Sequence, residues 1–255
     1  MKENERPRQW ALITSMLDEP EALKASVEGS ARPDVRARPV PFSADDLLER
    51  PWWEPVLVRL ADVVVAALML VLSAPVIVLV ALVIRLDSPG KAVFRQFRVG
   101  RDLAPFVFYK FRTMYEDARE RFPELYEYRY TGEDMLAMRF KIENDPRLTR
   151  VGRRLRKTSL DELPNLLNVI LGDMSLVGPR PEILEMVQYY EPWQRMKWHV
   201  KPGVTGLAQV QGRGYLTFQE TVHWDVRWVF ERSPSLYFRI LLRTVRTVLH
   251  GMGAF

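Results

Sequence analysis

The sequence has no cysteine and only three histidines among its 255 residues. Without cysteine, the chain has no disulfide framework, no zinc ribbon and no thiol nucleophile. Three histidines make a histidine-rich metal site a poor expectation, so a bound metal would be Mg²⁺ or Ca²⁺ on carboxylate oxygens. The chain also lacks a P-loop, a G-x-S-x-G sequence and a zinc motif, which are common signatures of NTPases, serine hydrolases and zinc enzymes.

The amino-acid composition restricts the class of protein but does not identify its binding partner. Hydrophobic residues make up 47% of the chain and supply a core, whereas a charged share of 27% excludes a polytopic membrane protein. The net charge is +5 and the isoelectric point is about 9.5. A basic chain favours anionic partners, which include nucleic acid, phospholipid headgroups and phosphorylated substrates.

One long apolar run extends from Val63 to Ile84 and contains no charged residue. A straight helix of this length reaches roughly 33 Å, enough to cross a hydrocarbon core of about 30 Å. Pro75, near its middle, removes one backbone hydrogen bond and predicts a kink. The heavier positive charge after the run, over residues 85–101, predicts that this side faces the cytoplasm. A spanning helix, a helix that dips in and returns, and a buried core helix all stay open.

The chain divides into an extension and a folded domain. Residues 1–55 are polar and interrupted by prolines, which predicts a partly flexible N-terminal extension. Residues 56–255 form the predicted folded domain, whose membrane helix covers about residues 60–85.

The predicted domain is α+β and rich in helix. Two runs with strand-like alternation, Val93–Val99 and Phe106–Phe111, flank a turn at Gly100–Asp102 and predict a small β-hairpin. The segment Leu236–His250 predicts an amphipathic helix with arginines on one face. Such a helix fits either a membrane surface or the solvated side of a domain.

The densest basic stretch runs from Arg147 to Lys157, and six of its eleven positions are basic. It is open to three interpretations: a solvated charged face, a nucleic-acid patch or a phosphate site. It leads into Asp161 and Glu162, two adjacent carboxylates at a predicted helix start. Either Ser159 caps that helix or Asp161 is itself the N-cap. The proline three residues after Asp161 favours the second register, because its missing N–H is not needed in the first turn.

The two carboxylates also have a chemical interpretation. A carboxylate near a helix N-terminus and basic neighbours stays ionised, and an ionised carboxylate can attack phosphorus to form an acyl phosphate. A second carboxylate beside it can hold Mg²⁺ against a diphosphate. Arginines such as Arg180, held between two prolines, can clamp phosphate oxygens. Both reactants of such a reaction are phosphates.

Six motifs follow one another along the chain: LDSPG (86–90), FRQFRVGR (94–101), YKFRTM (109–114), NDPRLTRVGRRLRKTSLDELPNLLNV (144–169), GDMSLVGPRP (172–181) and KPGVTGLAQVQGR (201–213). As an ordered set, over roughly residues 56–250, they resemble the monotopic polyprenyl-phosphate phosphoglycosyl transferases, also called bacterial sugar transferases. The resemblance is to a short form that lacks the four-helix membrane bundle of larger relatives and has its own N-terminal extension.

The resemblance implies a reaction. Asp161 is then the nucleophile that attacks the β-phosphate of a UDP-sugar and expels UMP, and Glu162 is its Mg²⁺-binding partner. The aspartyl-phosphosugar intermediate passes to polyprenyl (undecaprenyl) phosphate. This is the first membrane step in the synthesis of a glycoconjugate such as an exopolysaccharide, O-antigen, capsule or glycoprotein glycan. The residues that match the family's basic positions around the substrate phosphates are Lys110, Arg112, Arg147, Arg150, Arg153 and Arg180.

The resemblance also implies a location and partners. The family's membrane element is a re-entrant helix, broken at a Ser-Pro step, that enters and leaves the cytoplasmic face of the bacterial inner membrane, with amphipathic helices at the interface. Pro75 matches that proline, but Ala74 stands at the usual serine and Ser73 lies one position earlier. The implied partners are a UDP-sugar, polyprenyl phosphate and inner-membrane lipid, with no nucleic acid. A homodimer is left open.

Two other functions compete with this one. A non-catalytic, membrane-anchored protein would use the basic stretch to bind anionic lipid or nucleic acid. A transferase that moves only the sugar would release UDP rather than UMP. The intact pair of Asp161 and Glu162 within basic surroundings favours phosphosugar transfer over both.

Overall fold

The computed structural model describes residue 51 and residues 53–139, 142, 144–212 and 214–249 of the chain. The extension predicted over residues 1–55 lies almost entirely outside the described residues, so its partly flexible character and its boundary stay predictions. The described residues form a helix-rich α+β fold with two sheets of two strands each. The helix-rich α+β class with a small β-hairpin is therefore confirmed.

The fold begins with helix α1, Trp53–Asp87, which starts earlier than the predicted membrane helix of residues 60–85 because Pro55 lies in its first turn, where no N–H is needed. The strands are β1 (Val93–Val99), β2 (Pro105–Phe111), β3 (Ser175–Val177) and β4 (Gly203–Thr205). The other α-helices are α2 (Ala118–Arg121), α3 (Gly132–Ala137), α4 (Arg150–Thr158), α5 (Asn165–Leu171), α6 (Leu207–Gly212), α7 (Phe218–Glu231) and α8 (Pro234–Leu249). Short 3₁₀ turns cover Arg101–Leu103, Pro123–Tyr126, Leu160–Glu162, Leu184–Tyr189 and Gln194–His199.

Helix α1 is long and apolar enough to cross a membrane, and it is the one such helix in the described part of the chain. Only 11% of its most apolar stretch is buried. Side chains near its middle lie in the open; Leu72, for example, is 71% exposed. A buried core helix would hide such side chains, so that interpretation of the apolar run is wrong.

Pro75 lies inside α1, and the helix is not interrupted there. The hydroxyl of Ser73 donates to the carbonyl of Met69 at 2.6 Å, a back-bond of the kind that often bends helices. This back-bond comes from Ser73, which lies one position before the place of the usual serine. The break at Pro75 and the re-entrant course stay predictions.

Both ends of α1 are fastened to the rest of the fold. Near its start, Arg59 donates to the carbonyls of Val169 and Ile170 in α5, at 2.6 and 2.9 Å. At its other end, the carboxylate of Asp87 accepts from the backbone N–H of Val151 in α4 at 3.2 Å. The exposed middle of the helix thus lies between two anchored ends.

The strongest anchor of α1 is Asp62, which is almost fully buried. One of its oxygens, Oδ1, accepts from the Ser175 hydroxyl at 2.9 Å, the Leu176 backbone N–H at 2.7 Å and the Tyr237 hydroxyl at 2.7 Å. These donors belong to β3 and α8, so a single carboxylate joins α1 to two elements distant in sequence.

Replacing Asp62 by alanine is expected to lower the free energy of unfolding by about 3 kcal/mol, because it leaves buried donors without an acceptor. Thermal unfolding of the detergent-solubilised chain measures this loss. Ser73→Ala is the matched control on the same helix, since it removes one exposed back-bond and is expected to change stability by less than about 0.5 kcal/mol. Equal effects of the two changes would contradict the anchoring role of Asp62.

Strands β1 and β2 form the antiparallel hairpin that the sequence predicted. Its turn needs left-handed backbone at Asp102 and Leu103, where φ is 53° and 61°. Directly opposed residues share a face of an antiparallel pair. One face therefore carries the pairs Phe94 with Lys110, Gln96 with Phe108, and Arg98 with Phe106.

Helix α8 confirms the amphipathic helix predicted at the end of the chain. Tyr237 and Ile240 are buried, whereas Phe238, Leu242 and Arg243 are exposed. The exposed face thus mixes large apolar side chains with arginine, a pattern that suits a membrane interface. Interfacial binding stays a prediction.

Candidate active site

Asp161 lies in the 3₁₀ turn between α4 and α5 and is 3% exposed. Helix α4 ends at Ser159, whose left-handed backbone (φ 60°, ψ 12°) reverses the chain. The turn is closed by the Glu162 N–H, which donates to the Ser159 carbonyl at 3.1 Å. The Asp161 side chain is thereby directed inward, where its Oδ2 lies 2.6 Å from Lys110 Nζ.

Both registers predicted for the start of α5 are wrong. Pro164 is the N-cap residue, and α5 begins at Asn165. Ser159 ends α4 and makes no side-chain cap bond to the turn that follows. The isolated 3₁₀ turn changes the register because it separates the carboxylates from the helix. Asp161 is thus paired with lysine instead of being used as a cap.

Lys110 reaches the carboxylates from the hairpin. Its ammonium contacts Asp161 and also lies 3.9 Å from Glu162 Oε1. Arg180 approaches from the other side, with Nη1 3.5 Å from the same Glu162 oxygen. The predicted residues that the structure brings together are therefore Asp161, Glu162, Lys110 and Arg180.

The loop that carries Arg180 is fixed by a second, parallel sheet that sequence reasoning missed. Strand β3 pairs with β4, and beyond it the Gly178 N–H donates to the Thr205 carbonyl at 2.9 Å. The Gly203 N–H donates to the Pro179 carbonyl at 2.8 Å. Gly178 and Gly203 approach so closely that a Cβ on either would collide with the other's backbone. This contact sets the direction in which the Pro-Arg-Pro loop leaves the sheet.

The structure does not bring Arg112 or Arg147 to the carboxylates. Arg112 is buried and donates to the carbonyls of Pro89 and, at 2.7 Å, Ser88, where the chain leaves α1. Arg147 forms a two-bond pair with Asp145, at 2.9 and 2.8 Å. Because these guanidinium groups hold local structure, their phosphate-binding roles stay predictions.

Arg150 and Arg153 are exposed on the surface of α4, and their phosphate roles also stay predictions. Arg156 was missed by sequence reasoning, although it lies in the same basic run. It lies one helical turn after Gly152, which is buried. Residues at this spacing share one face of a helix, and that was the signal available in the sequence. Burial lowers the pKa of Arg156, and the charges of Asp145 and Asp161 oppose that shift. Arg156 therefore adds positive potential at the Asp161 carboxylate.

A small cleft opens beside Glu162 and Arg180, and Arg98, Phe108 and Asn165 also line it. The Oδ1 atom of Asn165 is buried and has no hydrogen-bond partner. No cluster of three or more histidine, aspartate or glutamate side chains occurs in the described part of the chain. Mg²⁺ commonly uses one or two protein carboxylates together with substrate phosphates and water. The Glu162 carboxylate and the Asn165 amide oxygen fit that mode of binding.

A buried network lies behind the Arg180 loop. Lys197 Nζ is 2.8 Å from Asp225 Oδ2, and the backbone N–H of Arg180 lies near enough to favour the charged form of Asp225. The Tyr190 hydroxyl donates to Glu182 at 2.9 Å. Burial raises the pKa of Asp225 against the opposing charge of Lys197. Burial, with the nearby charge of Glu182, raises the pKa of Tyr190 well above its usual value.

A sequence model of the bacterial sugar transferase family matches residues 53–251. The chain therefore belongs to the bacterial sugar transferase family, and the resemblance seen in the six motifs is confirmed.

Individual relatives show how far the likeness extends. The chain is 42% identical over 205 residues to the UDP-glucose:undecaprenyl-phosphate glucose-1-phosphate transferase of Caulobacter vibrioides, covering 77% of this chain and 71% of the relative. It is 41% identical over 197 residues to the galactosyl transferase CpsE of Streptococcus agalactiae, and the match covers 77% of this chain and 43% of the relative. It is 38% identical over 197 residues to the undecaprenyl-phosphate galactose phosphotransferase of Salmonella typhimurium, and the match covers 77% of this chain and 41% of the relative. The chain thus spans about two-fifths of the length of the last two relatives.

Proposed function

We propose that this chain transfers a sugar-1-phosphate from a UDP-sugar to polyprenyl (undecaprenyl) phosphate and releases UMP. The observation that carries the proposal is the buried Asp161, whose carboxylate pairs with Lys110 instead of capping a helix. Glu162 and Arg180 lie beside it. The relatives from Caulobacter and Salmonella are named for transfer of a sugar phosphate to or from undecaprenyl phosphate carriers.

The reaction takes place in two displacements at the same phosphorus. An oxygen of Asp161 attacks the β-phosphorus of the UDP-sugar; an Asp–O–P bond forms, and the bond from this phosphorus to the bridging oxygen breaks, so that UMP leaves. An oxygen of polyprenyl phosphate then attacks the aspartyl-phosphosugar. The Asp–O–P bond breaks, the carboxylate is restored, and the product is a polyprenyl-diphospho-sugar.

The protein prepares this chemistry by placing fixed charges around the reacting phosphate. Lys110 holds the Asp161 side chain in one position through the 2.6 Å ion pair. Arg180 is directed at the same cleft by the rigid Pro-Arg-Pro loop and can bind donor phosphate oxygens. Glu162 and Asn165 would hold a Mg²⁺ ion together with the diphosphate, and such an ion would supply charge neutralisation for the leaving phosphate. Chelation is therefore expected to abolish transfer, and added Mg²⁺ to restore it.

We further propose that α1 is re-entrant and lies at the cytoplasmic face of the inner membrane. A straight helix from Asp62 to Asp87 measures roughly 38 Å, longer than a hydrocarbon core of about 30 Å. If α1 spanned the bilayer, these residues would lie on opposite sides, yet both bind the same folded domain. A bend at Pro75 allows both ends to stay with that domain while the apolar middle enters lipid.

Cysteine labelling tests this topology directly, because the native chain contains no cysteine. Val56→Cys and Leu86→Cys, at positions that are 59% and 87% exposed, are expected to react with a membrane-impermeant maleimide from the cytoplasmic side only. Leu72→Cys, in the middle of the helix, is expected to be protected by lipid. Labelling of one end from each side of the membrane would establish a spanning helix instead.

The reaction is tested by UMP release from a panel of UDP-sugars, with Mg²⁺ and polyprenyl phosphate present. Acceptor-dependent UMP from one donor is expected, and that donor identifies the sugar. Release of UDP would indicate that the sugar moves without its phosphate. If no nucleotide is released across the panel, while anionic lipid binds, the chain would be a membrane-anchored binding protein. Glycoconjugate synthesis is the expected context, and a homodimer stays a prediction.

A further inference from the structure

Arg98 lines the cleft beside Glu162 and Arg180. The proposed reaction assigns no role to this cation. The hairpin register places it on the same face as Lys110, with Phe108 between them. Its guanidinium lies over the Phe108 ring, 5.4 Å from the ring centre. The side chain of Arg98 therefore extends along the face that also delivers Lys110 to Asp161, and it lines the cleft beside Arg180.

The hydrogen-bonding capacity of Arg98 is largely unused within the described structure. Its Nε atom is buried and has no hydrogen-bond partner. Nη1 makes one long bond, 3.4 Å, to the Pro181 carbonyl. Burial lowers the pKa of Arg98 to about 10; the charge of Glu182 opposes this shift, and the nearby charge of Arg180 adds to it. The two guanidinium groups therefore repel each other in one cleft, and a bound anion that contacts both would offset this repulsion.

We propose that Arg98 is a second arginine of the donor site and binds the diphosphate of the UDP-sugar together with Arg180. This inference rests on the proposed function. A diphosphate has several oxygens that accept paired N–H donors, and a guanidinium supplies such donors in a fixed geometry. Binding of the donor would satisfy the unused Nε and remove the repulsion between the two arginines.

A purely structural arginine would look different. Such a residue pairs with a carboxylate, as Arg147 does with Asp145 through two bonds in the same domain. Arg98 shows one long bond and a stacking contact in the described part of the chain. An unsatisfied donor in a ligand cleft is the arrangement expected before the ligand arrives.

The test uses UDP as the probe and the full, detergent-solubilised chain with Mg²⁺. Arg98→Gln is expected to weaken UDP binding at least tenfold, and Arg98→Lys to recover part of the loss by restoring the charge. Arg95→Gln is the matched control. Arg95 lies three residues earlier on β1, is exposed, and stacks over Tyr109 at 5.6 Å. Its replacement is expected to change UDP affinity less than twofold.

Thermal unfolding without ligand shows whether the variants fold, and the rise in unfolding temperature on adding UDP gives a second measure of binding. If Arg98→Gln folds and binds UDP as tightly as the unaltered chain, the inference is wrong and the proposed function stands. If Arg98→Gln does not fold, Arg98→Lys decides by the same comparison, because a lost phosphate contact still weakens UDP binding several-fold. Failure of the unaltered chain to bind UDP would overturn the inference and the proposed function together.

Discussion

Replacing Asp161 by asparagine is expected to reduce acceptor-dependent UMP release by roughly a thousandfold or more, because a neutral amide is a poor nucleophile towards phosphorus. The change keeps the shape of the side chain, and Lys110 retains Glu162 as a neighbour at 3.9 Å. The unfolding temperature is therefore expected to change little. Measurement of UMP release and thermal unfolding on the same preparation separates lost chemistry from lost structure.

Asp117→Asn provides the control for the loss of one carboxylate. Asp117 is half-exposed and pairs with Arg121 on the surface at 2.8 Å, so its replacement is expected to leave UMP release unchanged. Wild-type turnover by Asp161→Asn would exclude the aspartyl intermediate. Loss of UMP release by both variants would show that the assay responds to charge in general.

Replacing Lys197 by methionine is expected to lower the free energy of unfolding by about 3–5 kcal/mol, because it leaves the buried charge of Asp225 uncompensated. The two side chains are each 1% exposed and 2.8 Å apart. The double change Lys197→Met with Asp225→Leu removes both charges. It is expected to recover most of the stability, since a buried ion pair can be replaced by apolar groups at little cost. Denaturant unfolding of the unaltered chain, the single variant and the double variant measures these differences in the free energy of unfolding.

The matched control for this pair lies on the same helix. Arg227 and Glu231 are 2.7 Å apart, close to the 2.8 Å of the buried pair, but their side chains are 42% and 37% exposed. Arg227→Ala is expected to cost less than about 1 kcal/mol, because an exposed pair is screened by solvent. Equal losses at the exposed and buried pairs would contradict the assigned role of burial.

The buried pair also bears on function, because the Asp225 carboxylate interacts electrostatically with the Arg180 backbone N–H. The double change is therefore expected to restore stability but to leave the donor KM raised, since the Pro-Arg-Pro loop loses this interaction. Steady-state kinetics of the double variant measures this. A donor KM equal to that of the unaltered chain would show that the β3–β4 sheet alone positions the loop.

The elements with strong local signals were predictable from sequence. The hairpin follows from alternating residues on each side of a turn. The end of α5 follows from Gly172, whose φ of 95° suits glycine. The roles of Lys110 and Arg180 came from resemblance, and the structure places both beside the carboxylates.

The features that sequence reasoning missed depend on contacts between distant segments. Ser159 adopts left-handed backbone although it is not glycine, so nothing local marks the 3₁₀ turn that directs Asp161 inward. Strands β3 and β4 are three residues each, too short for a periodic pattern to identify. Lys197 and Asp225 are charged residues of types usually found on the surface, and only the folded chain shows that they are buried together.

The contacts of Arg112 also could not be predicted from the sequence. The resemblance predicts that Arg112 and Lys110 form a basic pair at the same site. The strand ends at Phe111, and Arg112 turns to the carbonyls at the end of α1. The motif identified Arg112, but the end of the strand at Phe111 determines which groups its side chain contacts.

The most direct test of the account is the intact mass of the purified chain after incubation with its UDP-sugar and Mg²⁺ in the absence of polyprenyl phosphate. The account predicts that the mass increases by one sugar phosphate, that the group maps to Asp161, and that adding polyprenyl phosphate removes it. The account would be contradicted by an unchanged mass in a sample that releases UMP once polyprenyl phosphate is added. An adduct on any other residue would contradict it as well.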